Sequence, residues 1–313
     1  MNRRKPLTIS LICLTVLAIL TAADLTNGGV TDSDVMIHLR LPRVATAILA
    51  GAALALSGSQ MQSVLRNPLA DPHIMGVSSG AALGAAIVTL LGGTSGFLSG
   101  LTTAGAAFFG AAASAGVILA VSRKFHSAST LLIFGVLLGF IVNAVISILQ
   151  FTSDAESLKI FYSWSAGSFS NTTWPQIAMT AAALLAGYAI AFSGRKGLDI
   201  ILFGDEFASM AGARPSGIRL KALLSCCIMT SAVTAFCGPL GFVGIIAPHI
   251  ARAMTRTSAH GTNLPVSLLT GAIICVGADL ISQMSPTPLP AAGTLAITGI
   301  PVIIYILIKK PSL

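Results

Sequence analysis

Few residues in this chain could do chemistry, and Asp279 stands out among them. It is the one carboxylate well inside a predicted apolar span. An ionised side chain is costly at that depth, and it marks a functional site by default. A proton-coupled transporter would need such a group. The alternative is a structural role in which Asp279 accepts hydrogen bonds from a neighbouring helix end, since no basic partner is obvious in the sequence.

Two patterns bear on enzyme chemistry. The run Gly76–Gly80 reads Gly-Val-Ser-Ser-Gly, which matches a nucleophile elbow. That elbow needs a strand before it, but here a proline-containing loop precedes the run and an apolar span follows, so helix packing explains the glycines better. The sequence contains no Gly-x-x-x-x-Gly-Lys-Ser/Thr phosphate loop. We therefore predict no catalytic residue, no bound metal or cofactor, and no ATP site belonging to this chain.

Polar side chains also recur at helical spacing inside predicted spans. Asn143, Ser147 and Gln150 fall at i, i+4 and i+7, on one face of a helix. Gln60 lies among serines and another glutamine near the end of an earlier span. These groups either form interhelical hydrogen bonds, typically about 0.6 kcal/mol each, or line a water-filled path. The spacing leaves both readings open.

The segment 195–221 holds an unusual share of the charges, although only 9% of the chain is charged. Asp205 can cap a helix, Glu206 would suit the helix dipole in the first turn, and Gly212 can end the helix. The apolar stripe of that helix would consist of Phe203, Phe207 and Met210. The pattern predicts a short amphipathic helix outside the membrane that offers a face to a partner. An ordinary solvated loop is the alternative.

Composition places the whole chain in a membrane. Its 313 residues are 54% hydrophobic with a mean hydropathy of +0.88, whereas a soluble domain carries roughly 25% charged residues. We predict an all-α, multi-pass membrane protein, with residues 1–313 forming one domain of about ten helices. The predicted spans are 7–25, 42–64, 74–92, 101–121, 130–151, 174–194, 218–237, 239–254, 264–284 and 290–308. The first could be a signal peptide, but its apolar run is long, which favours a retained span.

Basic residues indicate the orientation. Successive loops between spans lie on alternate sides of the membrane. Of the 18 lysines and arginines, only Arg40, Arg43 and Lys159 fall on one side, and the other 15 fall on the opposite side. The positive-inside rule puts that opposite side, including both termini and segment 195–221, in the cytoplasm. The net charge of +8 therefore reports topology and does not indicate nucleic-acid binding.

Four stretches, in order, carry a resemblance to a known family. They are Leu39-Arg40-Leu41-Pro42-Arg43, the run from Asn67-Pro68 to Gly80-Ala81, Gly204-Asp205-Glu206 to Gly212, and Gly238-Pro239-Leu240-Gly241 to Ala251-Arg252. Together they resemble the FecCD family, the permease subunits of ATP-binding-cassette importers for iron-siderophores, haem and cobalamin. Two of these stretches have Pro and Gly inside apolar segments, a backbone that survives at membrane depth only beside protein or a water cavity.

The resemblance implies partners and roles. Two ATPase subunits, which use ATP and Mg, would dock on Gly204, Asp205, Glu206, Phe207, Met210 and Gly212. A periplasmic or lipoprotein substrate-binding protein would meet Arg40 and Arg43 outside. Gln60, Asn143, Ser147 and Gln150 would line the path, with a gate at Ser129 and Thr130. The permease would pair with a second copy or a paralogue. The chain has Gln283 at a position where the family often has an arginine. Docking of the binding protein would therefore depend more on Arg40 and Arg43.

These expectations combine into one function. The chain would be a permease subunit in the inner membrane that moves an iron-siderophore or related metal chelate by alternating access, driven by ATP hydrolysis in its partner. An ion-coupled secondary transporter that uses Asp279 is the alternative.

Overall fold

The structure is a computed structural model that describes residues 4–27, 33–91, 102–125, 127–285, 287 and 289–309. Within those ranges the chain is helical and contains no strand, which confirms the all-α prediction. The helices are α1 (Arg4–Thr26), α2 (Ser33–Val35), α3 (Leu41–Val64), α4 (Val77–Leu91), α5 (Thr103–Lys124), α6 (Ala128–Thr152), α7 (Ala155–Ser165), α8 (Trp174–Ser193), α9 (Arg195–Ile201), α10 (Asp205–Met210), α11 (Pro215–Cys237), α12 (Val243–Thr255), α13 (His260–Ser282) and α14 (Ala291–Lys309).

Each of the ten predicted spans corresponds to a helix. Seven helices of the described residues are long and apolar enough to cross a membrane: α1, α3, α5, α6, α8, α11 and α13. The other three are short. α4 and α14 contribute apolar stretches of 10–17 residues, and α12 has 13 residues.

Several short helical segments were not predicted, and two of them connect predicted spans. A π-helical turn, Met36–Arg40, leads from α2 into α3. α7 follows α6 and begins after Asp154, whose carboxylate accepts hydrogen bonds from the backbone N–H groups of Glu156 and Ser157 at 3.0 and 2.9 Å. Both segments are too short and too polar to register as spans.

α3 is the centre of the bundle. Nearly all its residues from Val44 onward are buried, and it packs against α8, α11, α12 and α13. A Cβ added at Gly51 would overlap the Gly271 carbonyl group, and one added at Gly58 would overlap Gly244. Small residues thus let the helices approach closely, as packing in lipid requires.

Two glycines of α4 allow close packing in the same way. A Cβ at Gly80 would meet Gly110 and Ser114 of α5, and one at Gly84 would meet Ala106. The Gly76–Gly80 run is therefore a helix-packing feature that joins α4 to α5. No strand precedes it, so the nucleophile-elbow reading does not apply.

The two proline-containing stretches pack against each other. The loop before α4 contains a 3₁₀ turn, Pro72–Met75, and α12 contains Pro248. The ring of His73 hydrogen-bonds the Leu240 carbonyl at 2.6 Å, and that of His249 bonds the Pro68 carbonyl at 2.9 Å. These imidazoles satisfy carbonyl groups that irregular backbone would otherwise leave unpaired, which explains how the backbone persists inside the protein.

Candidate functional site

The candidate coupling surface is α10 together with Phe203, which lies two residues before the helix. Two glycines bracket α10: Gly204 has φ 106° and Gly212 has φ 77°, a region that disfavours any side chain with a Cβ. Gly204 is the residue that precedes the first helical turn, so α10 begins at Asp205. The prediction that Asp205 caps the helix is wrong by one position. Gly212 follows the C-terminal cap Ala211, where the sequence predicted it.

The predicted apolar stripe lies on the surface. The exposed fractions are 73% for Phe203, 46% for Phe207 and 80% for Met210, and the two phenylalanine rings are 5.2 Å apart between centroids. Ala208, on the opposite side of α10, is fully buried. The helix is therefore seated on the bundle by one side and presents an aromatic and methionine patch on the other, a composition typical of protein interfaces.

The acidic residues of α10 differ in their surroundings. Asp205 forms an ion pair with Arg219 of α11, and Arg219 is buried. Glu206 is exposed. Asp205 therefore holds α10 to the bundle, while Glu206 is available at the surface. The roles predicted for both residues in ATPase coupling remain predictions.

A chain of hydrogen bonds connects α9 to the bundle, and the sequence did not predict it. Asp199 lies 2.6 Å from Nδ1 of His260 and accepts the His260 backbone N–H at 2.8 Å. Nε2 of His260 lies 2.7 Å from the Ser63 hydroxyl. Burial raises the pKa of the Asp199 carboxyl, but the hydrogen bonds from His260 outweigh burial and hold that pKa below its usual value. The chain connects α9 to α13 and α3.

The order Ser63, His260, Asp199 has the connectivity of a hydrolytic triad. Both Ser63 and His260 are only 3% exposed, and the Ser63 hydroxyl is also 3.0 Å from the Ser59 carbonyl within the same helix. Ser63 and His260 line a cavity that is described below, but the Ser63 hydroxyl is engaged with both the Ser59 carbonyl and the His260 ring. We interpret the arrangement as a polar link that joins α9 to α13 and α3.

A second polar cluster lies at the opposite end of the bundle. Arg43 donates from Nε and Nη2 to both carboxylate oxygens of Asp279 at 2.8–3.0 Å. Gln283 donates to Asp24 at 2.6 Å and to Asp279 at 3.1 Å. The expectation that Asp279 lacks a basic partner is wrong, because Arg43 supplies one from 236 residues away. An ion-paired carboxylate does not favour the ion-coupled alternative.

The pairing also bears on the expected role of Arg43. Its side chain is 15% exposed, and two of its three guanidinium nitrogens are engaged with Asp279. Arg43 therefore joins α3 to α13 in this structure, and its role in docking remains a prediction. Arg40 is half-buried and donates to the Leu25 carbonyl at 2.5 Å. Docking of a binding protein at Arg40 remains a prediction.

α6 carries the predicted path and gate residues on a helix that is largely uncovered. Asn143 and Ser147 are exposed and Gln150 is half-buried. At the start of α6, Ser129 is exposed and Thr130 is half-buried. Large apolar side chains around them are also exposed: Ile133, Leu137, Phe140, Ile141, Ile148 and Phe151. This combination suits a helix that meets another chain along part of its length, although path and gate roles remain predictions.

Gln60 does not share that setting. It is fully buried, and its amide donates to the Ser225 hydroxyl at 3.0 Å. Ser225 in turn donates to the Gly187 carbonyl at 2.7 Å. Gln60 therefore joins α3 to α11 and α8, and its assignment to the path remains a prediction. A polar residue near a helix end looks the same in sequence whether it faces water or another helix.

Comparison with known proteins gives a consistent set of similarities. The FecCD transport family model matches residues 7–309. The hemin transport system permease protein HmuU of Yersinia pestis is 30% identical over 297 residues, covering 93% of this chain and 89% of its own length. The cobalamin import system permease protein BtuC of Halobacterium salinarum is 34% identical over 295 residues, covering 93% and 78%.

A solved structure extends the similarity to three dimensions. An inward-facing metal-chelate type ABC transporter superposes with a TM-score of 0.87 at 26% identity, covering 96% of this chain and 99% of the other. The similarity therefore extends over nearly the whole fold described above.

Proposed function

Because the chain belongs to the FecCD transport family and is a multi-span permease subunit of an ABC transporter, we propose that it imports a metal chelate, specifically a ferric siderophore or a related compound. The observation that carries the proposal is α10: an exposed apolar patch on a helix that is fixed to the bundle. Two partner ATPases, using ATP and Mg, dock there. This chain supplies the passage and the partner supplies the hydrolysis.

The coupling path runs from α10 into the core. A push on the patch of Phe203, Phe207 and Met210 moves α10 and α9 together, since both belong to one short segment. Asp205 passes the displacement to α11 through Arg219, and Asp199 passes it to α13 and α3 through His260 and Ser63. Ion pairs and short hydrogen bonds suit this task because they resist sliding. The bundle then alternates between inward-open and outward-open states.

The passage lies beside α6. We propose that a second copy or a paralogue covers part of the exposed face of α6 and encloses a central path with it. Asn143, Ser147 and Gln150 line this path, and Ser129 and Thr130 form its cytoplasmic gate. A binding protein delivers cargo at the outer face, where Arg40 contributes to docking. Both termini lie in the cytoplasm of a cell whose inner membrane holds the complex.

The relatives support a metal chelate as cargo. One is named for hemin and the other for cobalamin, and both ligands are metal ions held by an organic chelator. The residues that we propose for the path are neutral, which suits a bulky chelate better than a bare ion. Ferric siderophore is the specific member that we propose for this chain.

Reconstitution tests the proposal. The permease, its ATPase and its binding protein are placed in liposomes, and uptake of a ⁵⁵Fe-loaded siderophore is followed with ATP inside. We expect uptake that requires all three proteins and hydrolysable ATP. Uptake of cobalamin but not of any ferric siderophore would remove the siderophore assignment and leave the chelate importer intact.

A further inference from the structure

A cavity of about 1210 Å³ opens where α3 and α12 end and α13 begins. Three arginines line it: Arg66, Arg252 and Arg256. The remainder of the wall includes apolar side chains, namely Leu202, Ile250, Met254 and Val302. None of its lining residues belongs to α6 or α10, although the Arg66 guanidinium lies close to Gly204, the residue before α10. The same cavity therefore has both basic and apolar side chains in its wall.

The positive charge in this cavity is not balanced by the protein. No aspartate or glutamate lines it, and among the described residues none of the three arginines forms an ion pair with a carboxylate. Arg252 donates to the neutral amide oxygen of Gln62 at 2.5 Å. Guanidinium groups gathered without a counter-charge repel one another, so their grouping indicates an anion that binds between them.

The backbone gives an independent indication. Arg66 has φ 47° and Arg256 has φ 53°, in the left-handed region where a helix usually ends on glycine or asparagine. A side chain with a Cβ in this region costs on the order of 1 kcal/mol. Only one other non-glycine residue of the described ranges, Phe242, has a positive φ. Two helices thus end on strained arginines at the same cavity, as expected where the side chain serves a site.

We propose that this cavity binds the phosphate headgroup of an anionic phospholipid, with the acyl chains along the apolar wall. Guanidinium groups form strong paired hydrogen bonds with phosphate oxygens, and basic pockets between membrane helices suit such headgroups. The apolar wall favours a lipid over a soluble phosphate, since a free phosphate would gain nothing from Ile250 or Met254. This site is independent of the cargo proposed above.

Native mass spectrometry of the delipidated full-length chain tests the site, with phosphatidylglycerol and phosphatidylcholine as probes. We expect phosphatidylglycerol to bind about tenfold more tightly than phosphatidylcholine, which corresponds to one charge-assisted contact of about 1.4 kcal/mol. Arg66→Gln, Arg252→Gln and Arg256→Gln should each remove most of that preference. Arg123→Gln is the matched control, because Arg123 is an exposed arginine at the end of α5 and does not line the cavity.

Glycine variants separate binding from folding. Arg66→Gly and Arg256→Gly relieve the left-handed strain, so we expect each to raise the melting temperature without lipid and to shrink the increase that phosphatidylglycerol produces. An equal preference in the control and the cavity variants would overturn the site. Tight binding of glycerol 3-phosphate, with no added affinity from acyl chains, would overturn the lipid and assign the arginines to a soluble phosphate.

Discussion

Truncation of the exposed patch on α10 should weaken ATPase binding without destabilising the permease. The variant is Phe203→Ala together with Met210→Ala. Both side chains are largely exposed in the free chain, so their loss should change the free energy of unfolding by no more than about 0.5 kcal/mol. Their contribution appears only when a partner covers them.

The size of the effect follows from the exposed fractions of 73% and 80%. Full burial of a phenylalanine or methionine side chain contributes about 1.5–3 kcal/mol. About three quarters of each side chain remains to be covered, so the two together should contribute about 2–4 kcal/mol to binding. At about 1.4 kcal/mol per tenfold, the dissociation constant for the ATPase should rise roughly 30- to 700-fold.

The assay measures ATPase binding to the permease in nanodiscs, alongside the thermal melting of the permease alone. Phe109→Ala is the matched control, because Phe109 on α5 is 66% exposed but lies far from the coupling segment in sequence. We expect normal melting in both variants and weak ATPase binding in the patch variant alone. Unchanged affinity in the patch variant would refute the assignment of α10 as the docking surface.

Three further predictions concern stability. Arg43→Ala should cost about 3–5 kcal/mol by leaving Asp279 buried and unpaired, and adding Asp279→Ala should recover part of that loss in a melting experiment. Gly51→Ala should cost about 1–3 kcal/mol because its Cβ meets rigid backbone, whereas Gly116→Ala, where the Cβ meets nothing within 4 Å, should not lower the melting temperature. The lowered pKa of Asp199 stabilises the fold above the ordinary aspartate pKa of about 3.9 and ceases to do so as pH falls through the lower folded value. The melting difference between wild type and Asp199→Asn should therefore be constant from pH 7 to 5 and shrink below about pH 4; a constant difference throughout would contradict the pairing.

The helices could be predicted from the sequence because each apolar run is recognisable from its own residues. A span needs about 20 apolar residues, and a single continuous segment of the sequence shows whether they are present. The short helix α10 in segment 195–221 could be predicted for the same reason, since Phe203, Phe207 and Met210 repeat at helical spacing. α7 was missed because its 11 residues include charged and aromatic side chains, which no span pattern matches.

The pairings that join the helices could not be predicted in this way. Arg43 and Asp279 are 236 residues apart, and Asp199 and His260 are 61 residues apart. Nothing in either local segment specifies the partner, because a charged residue near a span end looks alike whether it meets water, a binding protein or another helix. The helix contacts of Arg43 and Gln60 were accordingly not predicted.

The most direct test of the central claim is transport by the purified permease with and without its ATPase. Liposomes containing the permease alone, with a proton gradient imposed, are compared with liposomes that also contain the ATPase, the binding protein and internal ATP. The account predicts chelate uptake only in the second set, and none when ATP is replaced by a non-hydrolysable analogue. Gradient-driven uptake by the permease alone, abolished in Asp279→Asn, would contradict it.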